Sequence, residues 1–220
     1  MPGILYIVST PIGNLGDITL RAIETLKSVD LIACEDTRHT RILLDRYQIR
    51  TPTTSYFEYN KVKKTDYLVR VLKEGRSVAL VSDAGTPGIS DPGYKVIRAC
   101  IDRAIPVVPI PGASALLTAL VASGKPTNSF TFEGFLSPKP IKRKNQLKAL
   151  KEEGRTVVLY ESPHRILKLL TDLLEVYGDM EIVLARELTK KFEEIRRGKV
   201  SAELENLHKR GPKGEFIVII

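Results

Sequence analysis

Cysteine and histidine are scarce in this 220-residue chain, which has two cysteines, Cys34 and Cys100, and three histidines, His39, His164 and His208. The cysteines form no CxxC pair and have no histidine at metal-ligand spacing. Two reduced thiols in a cytoplasmic protein are therefore expected, rather than a disulfide framework. The histidines show no ligand spacing and HExxH is absent, so no metal is expected. No apolar run approaches the roughly 18 residues of a membrane-spanning helix, so no membrane partner is expected. The start, MPGILYIVSTPIG, lacks the basic stretch of a signal peptide and reads as a first strand. GxGxxG, GxxxxGK[ST] and GxSxG are missing as well. Their absence disfavours a Rossmann dinucleotide fold, a P-loop nucleotidase and a serine-hydrolase elbow.

The rest of the composition is that of a globular protein, 43% hydrophobic and 27% charged. The net charge is +8, divided as +3 over residues 1–110 and +5 over 111–220. The excess is spread through the chain, which favours a polyanionic partner without requiring one.

Apolar runs alternate with helix-period segments. ILYIVST (4–10), DLIACE (30–35), SVALVS (77–82), PVVPI (106–110), SFTFEGF (129–135), TVVLYES (156–162), EIVLAREL (181–188), FEEIRRGKV (192–200) and EFIVII (215–220) read as strands. Helices are expected over 20–29, 37–48, 63–75, 93–103, 112–124, 142–154, 163–178 and 201–210. Pro163 is expected in the first turn of its helix, and Gly154 and Gly178 past helix ends. The alternation predicts α/β architecture with mainly parallel sheets covered on both faces. It also suggests two domains, residues 1–115 and 116–220.

In a parallel sheet, ligands bind beyond the carboxyl ends of the strands. Those ends carry STPIGNLGDIT, CEDTR, SDAGTPGISDPG, PGAS, LSPK, ESPHR and RELTKK. Glycine and proline also form turns, and Thr19 and Ser114 suit helix caps. Turn-making explains any one of these loops, but scaffolding rarely needs them all. Glycines there let backbone N–H groups approach a ligand.

STPIGNLGDITLRA, CEDTR, SDAGTPGISDPG, PIPGASALLTAL, FEGFL, YESPHR, ARELTKKFEEIRRG and KGEF, in that order, resemble the tetrapyrrole-methylase superfamily. These are S-adenosyl-L-methionine-dependent methyltransferases of a non-Rossmann type. The similarity is greatest to the branch that methylates ribosomal RNA. The first loop here departs from the GxGxGD-like loop of the tetrapyrrole enzymes, which argues against a tetrapyrrole substrate. Many members of the rRNA branch also continue into a short basic extension, whereas this sequence stops at EFIVII.

The resemblance implies two α/β domains with the cofactor in a cleft between them. Ser82, Asp83, Ala84, Gly85 and Ile89 would approach its methionine part, with Ser114 and Ala115 beside it. Tyr160, Glu161, Ala185, Arg186, Leu188, Lys213, Gly214 and Glu215 would line the adenosine side. Within the long loop, Asp91 would cap the next helix. The implied reaction is 2′-O-methylation of a cytidine ribose (cytidine 1402) in the decoding region of 16S rRNA. The substrate would be free 16S rRNA or the assembled small ribosomal subunit, and the enzyme a homodimer. A 2′-hydroxyl is a weak acid, so a carboxylate near the acceptor should help, and Asp17 and Glu133 are the candidates. Arg38, Arg41, Lys142, Arg143 and Lys144 are candidates for phosphate contacts, and Tyr56, Phe57 and Tyr59 for base stacking. Two other readings remain open: methylation of a small tetrapyrrole-like acid, and an RNA-binding module without catalysis.

Overall fold

The computed structural model describes residues 1–220, which divide into two compact units, Met1–Ser114 and Ala115–Ile220. In the first unit, short apolar runs make a parallel sheet. β1 (Leu5–Val8), β2 (Leu31–Cys34) and β4 (Val78–Leu80) contain no exposed residue, as expected of strands covered on both faces. β3 (Thr53–Ser55) and β5 (Val107–Ile110) are the edges of the order β3-β2-β4-β1-β5, and all four pairings are parallel. Pro109 lies on the edge strand β5, where a missing N–H is tolerated. β3 escapes sequence reading because its Thr-Thr-Ser carries no apolar signal.

Alternation along the strands divides the core. Leu5, Ile7, Leu31, Val78 and Leu80 pack under α3 (Lys61–Lys73) and α4 (Tyr94–Ile101). Val8, Ile32, Cys34 and Ala79 pack under α1 (Leu20–Ser28) and α2 (Thr37–Arg46). Thr19 caps α1 by accepting from the Ala22 amide at 3.1 Å, and Asp36 caps α2 by accepting from Arg38 N at 2.8 Å. Cys34 and Cys100 are buried and unpaired. The order also separates two neighbouring loops. The chain leaves β1 for α1 on one face, and leaves β4, through β4's loop, for α4 on the other. Adjacent strands whose exits diverge in this way open a crevice at their carboxyl ends.

The second unit contains β6 (Phe130–Gly134), β7 (Thr156–Glu161), β8 (Glu181–Arg186), β9 (Glu194–Lys199) and β10 (Phe216–Ile219), in the order β6-β7-β10-β8-β9. Only β6 and β7 pair in parallel; the other three pairings are antiparallel. The expectation of a parallel sheet fails here because no helix separates β8 from β9. β10 then returns between β7 and β8, opposite in direction to both. Leu147 and Leu150 of α6 (Pro140–Glu153), Leu169, Leu170 and Leu173 of α7 (Ile166–Tyr177) and Leu207 of α8 (Val200–Arg210) build the core on this sheet. The remaining helix, α5 (Ala115–Ser123), starts later than expected from Gly112. Its last carbonyls, Ala122 O and Ser123 O, accept from the Arg197 guanidinium of β9. Pro163 precedes α7 rather than opening it, because the amides of Arg165 and Ile166 both turn back to Ser162 O, at 3.1 and 3.0 Å. No helix is long and apolar enough to cross a membrane.

The basic run that opens α6 is not uniformly free. Arg143 is buried, and its Nε donates to Asp172 Oδ2 of α7 at 2.6 Å. Its Nη1 reaches the carbonyls of Ser137 and Pro138. Arg143 is therefore a structural cation, not an RNA contact. Its side chain falls on the inner face of α6, a fact that the charge run conceals. Lys144 is half-occupied by Glu175 and Asp172, whereas Lys142 is exposed. Breaking a buried pair leaves an uncompensated charge, a loss of about 3–5 kcal/mol. Arg143→Ala should thus lower the denaturation free energy by about 3 kcal/mol. The double variant Arg143→Met/Asp172→Leu should recover most of it, as read by urea titration.

Candidate functional site

At the crevice of the first unit, the loops after β1 and β4 are joined by a short antiparallel bridge. Thr10 N donates to Gly85 O at 2.9 Å and Gly85 N donates to Thr10 O at 3.1 Å. Gly85 has φ +75°, a left-handed conformation that glycine adopts without strain. Thr10 Oγ1 also donates to Ser82 O at 3.1 Å, and the hydroxyls of Ser9 and Thr86 share a hydrogen bond at 2.9 Å. Further along, a Cβ on Gly93 would lie 2.8 Å from Gly88 N, so the rest of the loop folds tightly on itself. Side-chain hydroxyls are consumed inside the loops, and their shape is set by backbone.

Carboxylates gather beside this bridge. The Asp36 amide donates to Asp83 Oδ1 at 3.1 Å. Burial raises the Glu35 carboxyl, the charges of Asp91 and Asp83 add to this, and a hydrogen bond from the Asp83 amide opposes it. Burial lifts Asp91 to about 6, opposed by the Ser82 hydroxyl and reinforced by Asp83. Asp91 does not cap α4: the N-cap is Gly93, which has no side chain, and Asp91 interacts with Ser82 and Asp83 after β4 instead. Glu35, Asp83 and Asp91 enter no ion pair, although the chain carries a net +8. A cluster of this kind can hold a cation of the ligand. No group of three His, Cys, Asp or Glu side chains is placed to hold a metal ion.

Other expected residues fall as follows. Ser82 and Gly85 are buried, Ala84 and Ile89 are exposed, and Ser114 immediately precedes α5. Asp17 is exposed in a 3-10 turn (Leu15–Asp17), and Glu133 is exposed on β6. Arg38 and Arg41 lie on the surface of α2, paired with Asp36 and Asp45. Tyr56 is buried, with its hydroxyl 3.3 Å from Thr65 Oγ1, and is unavailable for stacking, while Tyr59 is 97% exposed.

In the second unit, strand register brings three expected segments together. Phe216 stands opposite both Glu161 and Arg186, so Tyr160–Glu161, Arg186–Leu188 and Lys213–Glu215 share one end of the sheet. Glu187, at φ +50°, accepts from Glu215 N at 3.0 Å and pairs with Lys190, not with its neighbour Arg186. A Cβ on Gly214 would lie 2.4 Å from the Glu187 side chain, so this turn requires glycine. Arg186 Nη1 donates to Lys213 O at 3.3 Å. Tyr160 Oη accepts from Leu116 N at 3.0 Å, and the Tyr160 ring packs edge-on to Phe132 and Phe135. Ala185 and Leu188 are buried and offer only backbone. Glu161 is also buried; it accepts from Ser162 N at 2.9 Å and faces Arg165, and burial raises its carboxyl.

Sequence reasoning missed a cavity of about 330 Å³ in the first unit, between the β1 loop, α2 and Ser82–Asp83. One of its lining residues, Thr40, is buried in mid-helix. Nothing in a single threonine on a helix marks it in advance.

A family model described as Tetrapyrrole (Corrin/Porphyrin) Methylases matches residues 4–203. The protein named ribosomal RNA small subunit methyltransferase I in Synechocystis sp. is 52% identical over 219 residues, 99% of this chain and 78% of that one. Its namesake in Thermotoga maritima is 50% identical over 218 residues, 99% of this chain and 98% of that one. The crystal structure of uroporphyrin-III C-methyltransferase from Thermus thermophilus, complexed with S-adenosyl homocysteine, shares the fold at TM-score 0.69. That likeness is 17% in sequence identity and covers 99% of this chain and 97% of that one.

The raised Asp91 carboxyl has a stability consequence. It binds its proton more tightly in the folded chain, so its contribution is favourable below pH about 4 and is lost as pH rises through about 6. Asp91→Asn should therefore stabilise the protein at pH 7, by about 1 kcal/mol once partial exposure is allowed for. It should change little at pH 4. Thermal denaturation at the two pH values checks this, and equal shifts at both would contradict it.

Proposed function

The chain belongs to the tetrapyrrole methylase family, and we propose that it is an S-adenosyl-L-methionine-dependent methyltransferase of small-subunit ribosomal RNA. We propose further that it methylates the ribose 2′-hydroxyl of a cytidine in the decoding region of 16S rRNA, cytidine 1402. It would act as a cytoplasmic homodimer. The observation that carries this reading is the match along the whole chain to relatives named for that RNA.

The first unit suits the cofactor through its uncompensated carboxylates. When bound, S-adenosyl-L-methionine supplies an electrophilic methyl on a cationic sulfonium. Asp83, with Asp91 and Glu35 behind it, provides negative potential without a competing cation. The backbone of Ser82–Gly85, with Ile89, Ser114 and Ala115, would hold the methionine end. Tyr160, the backbone of Ala185–Leu188 and Lys213–Glu215 would hold the adenosine end. Methyl transfer is an in-line displacement, so the principal task of these rigid segments is alignment. Asp17 and Glu133 are exposed carboxylates available to take the 2′-hydroxyl proton. Arg38, Arg41 and Lys142 are exposed for phosphate contacts.

Labelled methyl from the cofactor should enter the 16S rRNA of undermethylated small subunits; no incorporation by folded protein would overturn the reading. Gly85→Val places a β-branched side chain at a positive φ, beside Ile12. It should weaken cofactor binding at least about tenfold in calorimetry. Cofactor affinity should also rise as pH increases through about 6, as Asp91 gives up its proton. S-adenosylhomocysteine, which lacks the sulfonium charge, should show little such dependence; parallel profiles for the two would contradict the electrostatic assignment.

A further inference from the structure

A small basic pocket in the second unit lies on the face of its sheet that α8 covers. Along β8 and β10, Leu184, Arg186 and Phe216 point to that face, and Ala185 and Ile217 point to the other. Leu184 and Phe216 meet Leu207 of α8 and form an apolar floor. The space above it is about 40 Å³. A buried water needs about 10–15 Å³ on that scale, so there is room for about three waters or one compact oxyanion and none for a nucleoside.

The charges around the pocket do not cancel. Four cations, Arg186, Arg196, Arg210 and Lys213, line it with two carboxylates, Glu194 and Glu203, which leaves a net +2. Glu203 is buried and is fully taken by Arg196, which donates to it from Nε at 2.7 Å and from Nη2 at 3.2 Å. Glu194 then stands against the other three cations, and its contacts are long: 3.5 Å to Arg186 Nη2 and 3.4 Å to Arg210 Nη1. The Arg186 guanidinium is otherwise loosely held. Its Nη1 and Nη2 reach the carbonyls of Lys213 and Phe192 at 3.3 and 3.4 Å, and its Nε has no partner. Lys213 is exposed and pairs with no carboxylate. Cations at a helix C-terminus answer the helix dipole, which accounts for Arg210 at the end of α8. It does not account for Arg186 on a strand or Lys213 in a turn. Three cations gathered on one carboxylate at long range keep N–H groups available for a further anion.

We propose that this pocket binds one phosphate of the substrate RNA strand, with Arg186 and Arg210 donating to its oxygens and Lys213 adding charge at the mouth. Guanidinium forks match the oxygens of a phosphate in pairs. The pocket admits the phosphate and leaves sugar and base outside, so the contact is blind to base identity and serves to set the register of the strand. Arg186 and Lys213 also belong to the segments whose backbone is assigned to the adenosine end. A strand anchored by their side chains is thereby tied to the segments that hold the cofactor. This inference rests on the rRNA reading above. Free phosphate presents the same oxygens, and the test separates the two sources.

Three variants of the intact protein test it. The Arg210 side chain is 62% exposed and its one pairing is long, so Arg210→Glu should fold normally. It should weaken binding of a fluorescein-labelled oligoribonucleotide of the decoding region about tenfold, the worth of one charge-assisted contact. The slope of log affinity against log salt should fall by about 1. KM for small subunits should rise in proportion, with kcat and the affinity for S-adenosylhomocysteine unchanged. Glu194→Gln removes the opposing carboxylate and should tighten RNA binding about threefold, a gain that a damaged fold does not produce. Arg155→Glu makes the same charge reversal at the other end of β7, where Arg155 pairs with Glu153, and should change RNA affinity less than about twofold. Unchanged RNA binding by Arg210→Glu, or an equal loss in Arg155→Glu, would overturn the pocket assignment and leave the rRNA reading standing. Calorimetry with inorganic phosphate supplies the other arm: if Arg210→Glu loses phosphate binding and keeps RNA binding, the ligand is a free phosphate and the RNA assignment is overturned. If the wild type itself neither binds the oligonucleotide nor methylates subunits, both readings fall together.

Discussion

The two backbone hydrogen bonds between Thr10 and Gly85 hold the first unit's site in shape. The exits of β1 and β4 lead to opposite faces of the sheet, and without a tie the two loops would be independent. The tie needs Gly85 at a positive φ, and it brings Ser9, Thr10, Ser82 and Thr86 into mutual hydrogen bonding. Once those hydroxyls are consumed, Asp83 is what projects from the loop, and the Asp36 amide fixes its direction. Rigidity suits the proposed role, since a methyl transfer that depends on alignment gains most from segments with few alternative conformations.

Charge is sorted by position rather than by amount. The net charge is +8, yet the carboxyl ends of β2 and β4 hold three carboxylates with no cationic partner, two of them with raised affinity for protons. Such an arrangement is destabilising on its own and is the kind that a functional site retains. By contrast, Arg143 and Asp172 neutralise each other in a dry environment and serve to join α6 to α7. The exposed arginines of α2 are a third case, weakly paired and free to exchange partners.

The second unit solves a different problem. Its antiparallel β7, β10 and β8 end side by side, so segments distant in sequence meet at one edge. The turn after β8 holds Glu187 at a positive φ against Gly214 and pins Lys213–Glu215 by backbone and carboxylate contacts. Because Ala185 and Leu188 are buried, the surface there is offered largely by backbone and by long polar side chains. That is an adaptable way to present hydrogen-bonding groups to a polar ligand.

Local patterning was sufficient for most elements. Apolar runs and helix periods mark β1, β2, β4 and the helices, and Thr19 is readable as a cap because capping is a contact over three residues. The ordered loops carry the family. Contacts between distant residues were not readable. The antiparallel second sheet depends on which strands β10 lies between, and strand direction leaves no trace in an apolar run. Burial of Arg143 and Tyr56 depends on the face that a helix or loop turns inward, while composition shows only a charge or a ring. Asp91 precedes α4 as a cap would, but Gly93 takes the N-cap position and Asp91 meets Ser82 and Asp83 instead. The cavity of the first unit is the extreme case: it is a space enclosed by three separate segments. Sequence alone determined the elements and the kinship, since both rest on local or ordered patterns. Tertiary structure decided which charges are free, which are buried and where a cavity remains, since those follow from packing between residues far apart in the chain.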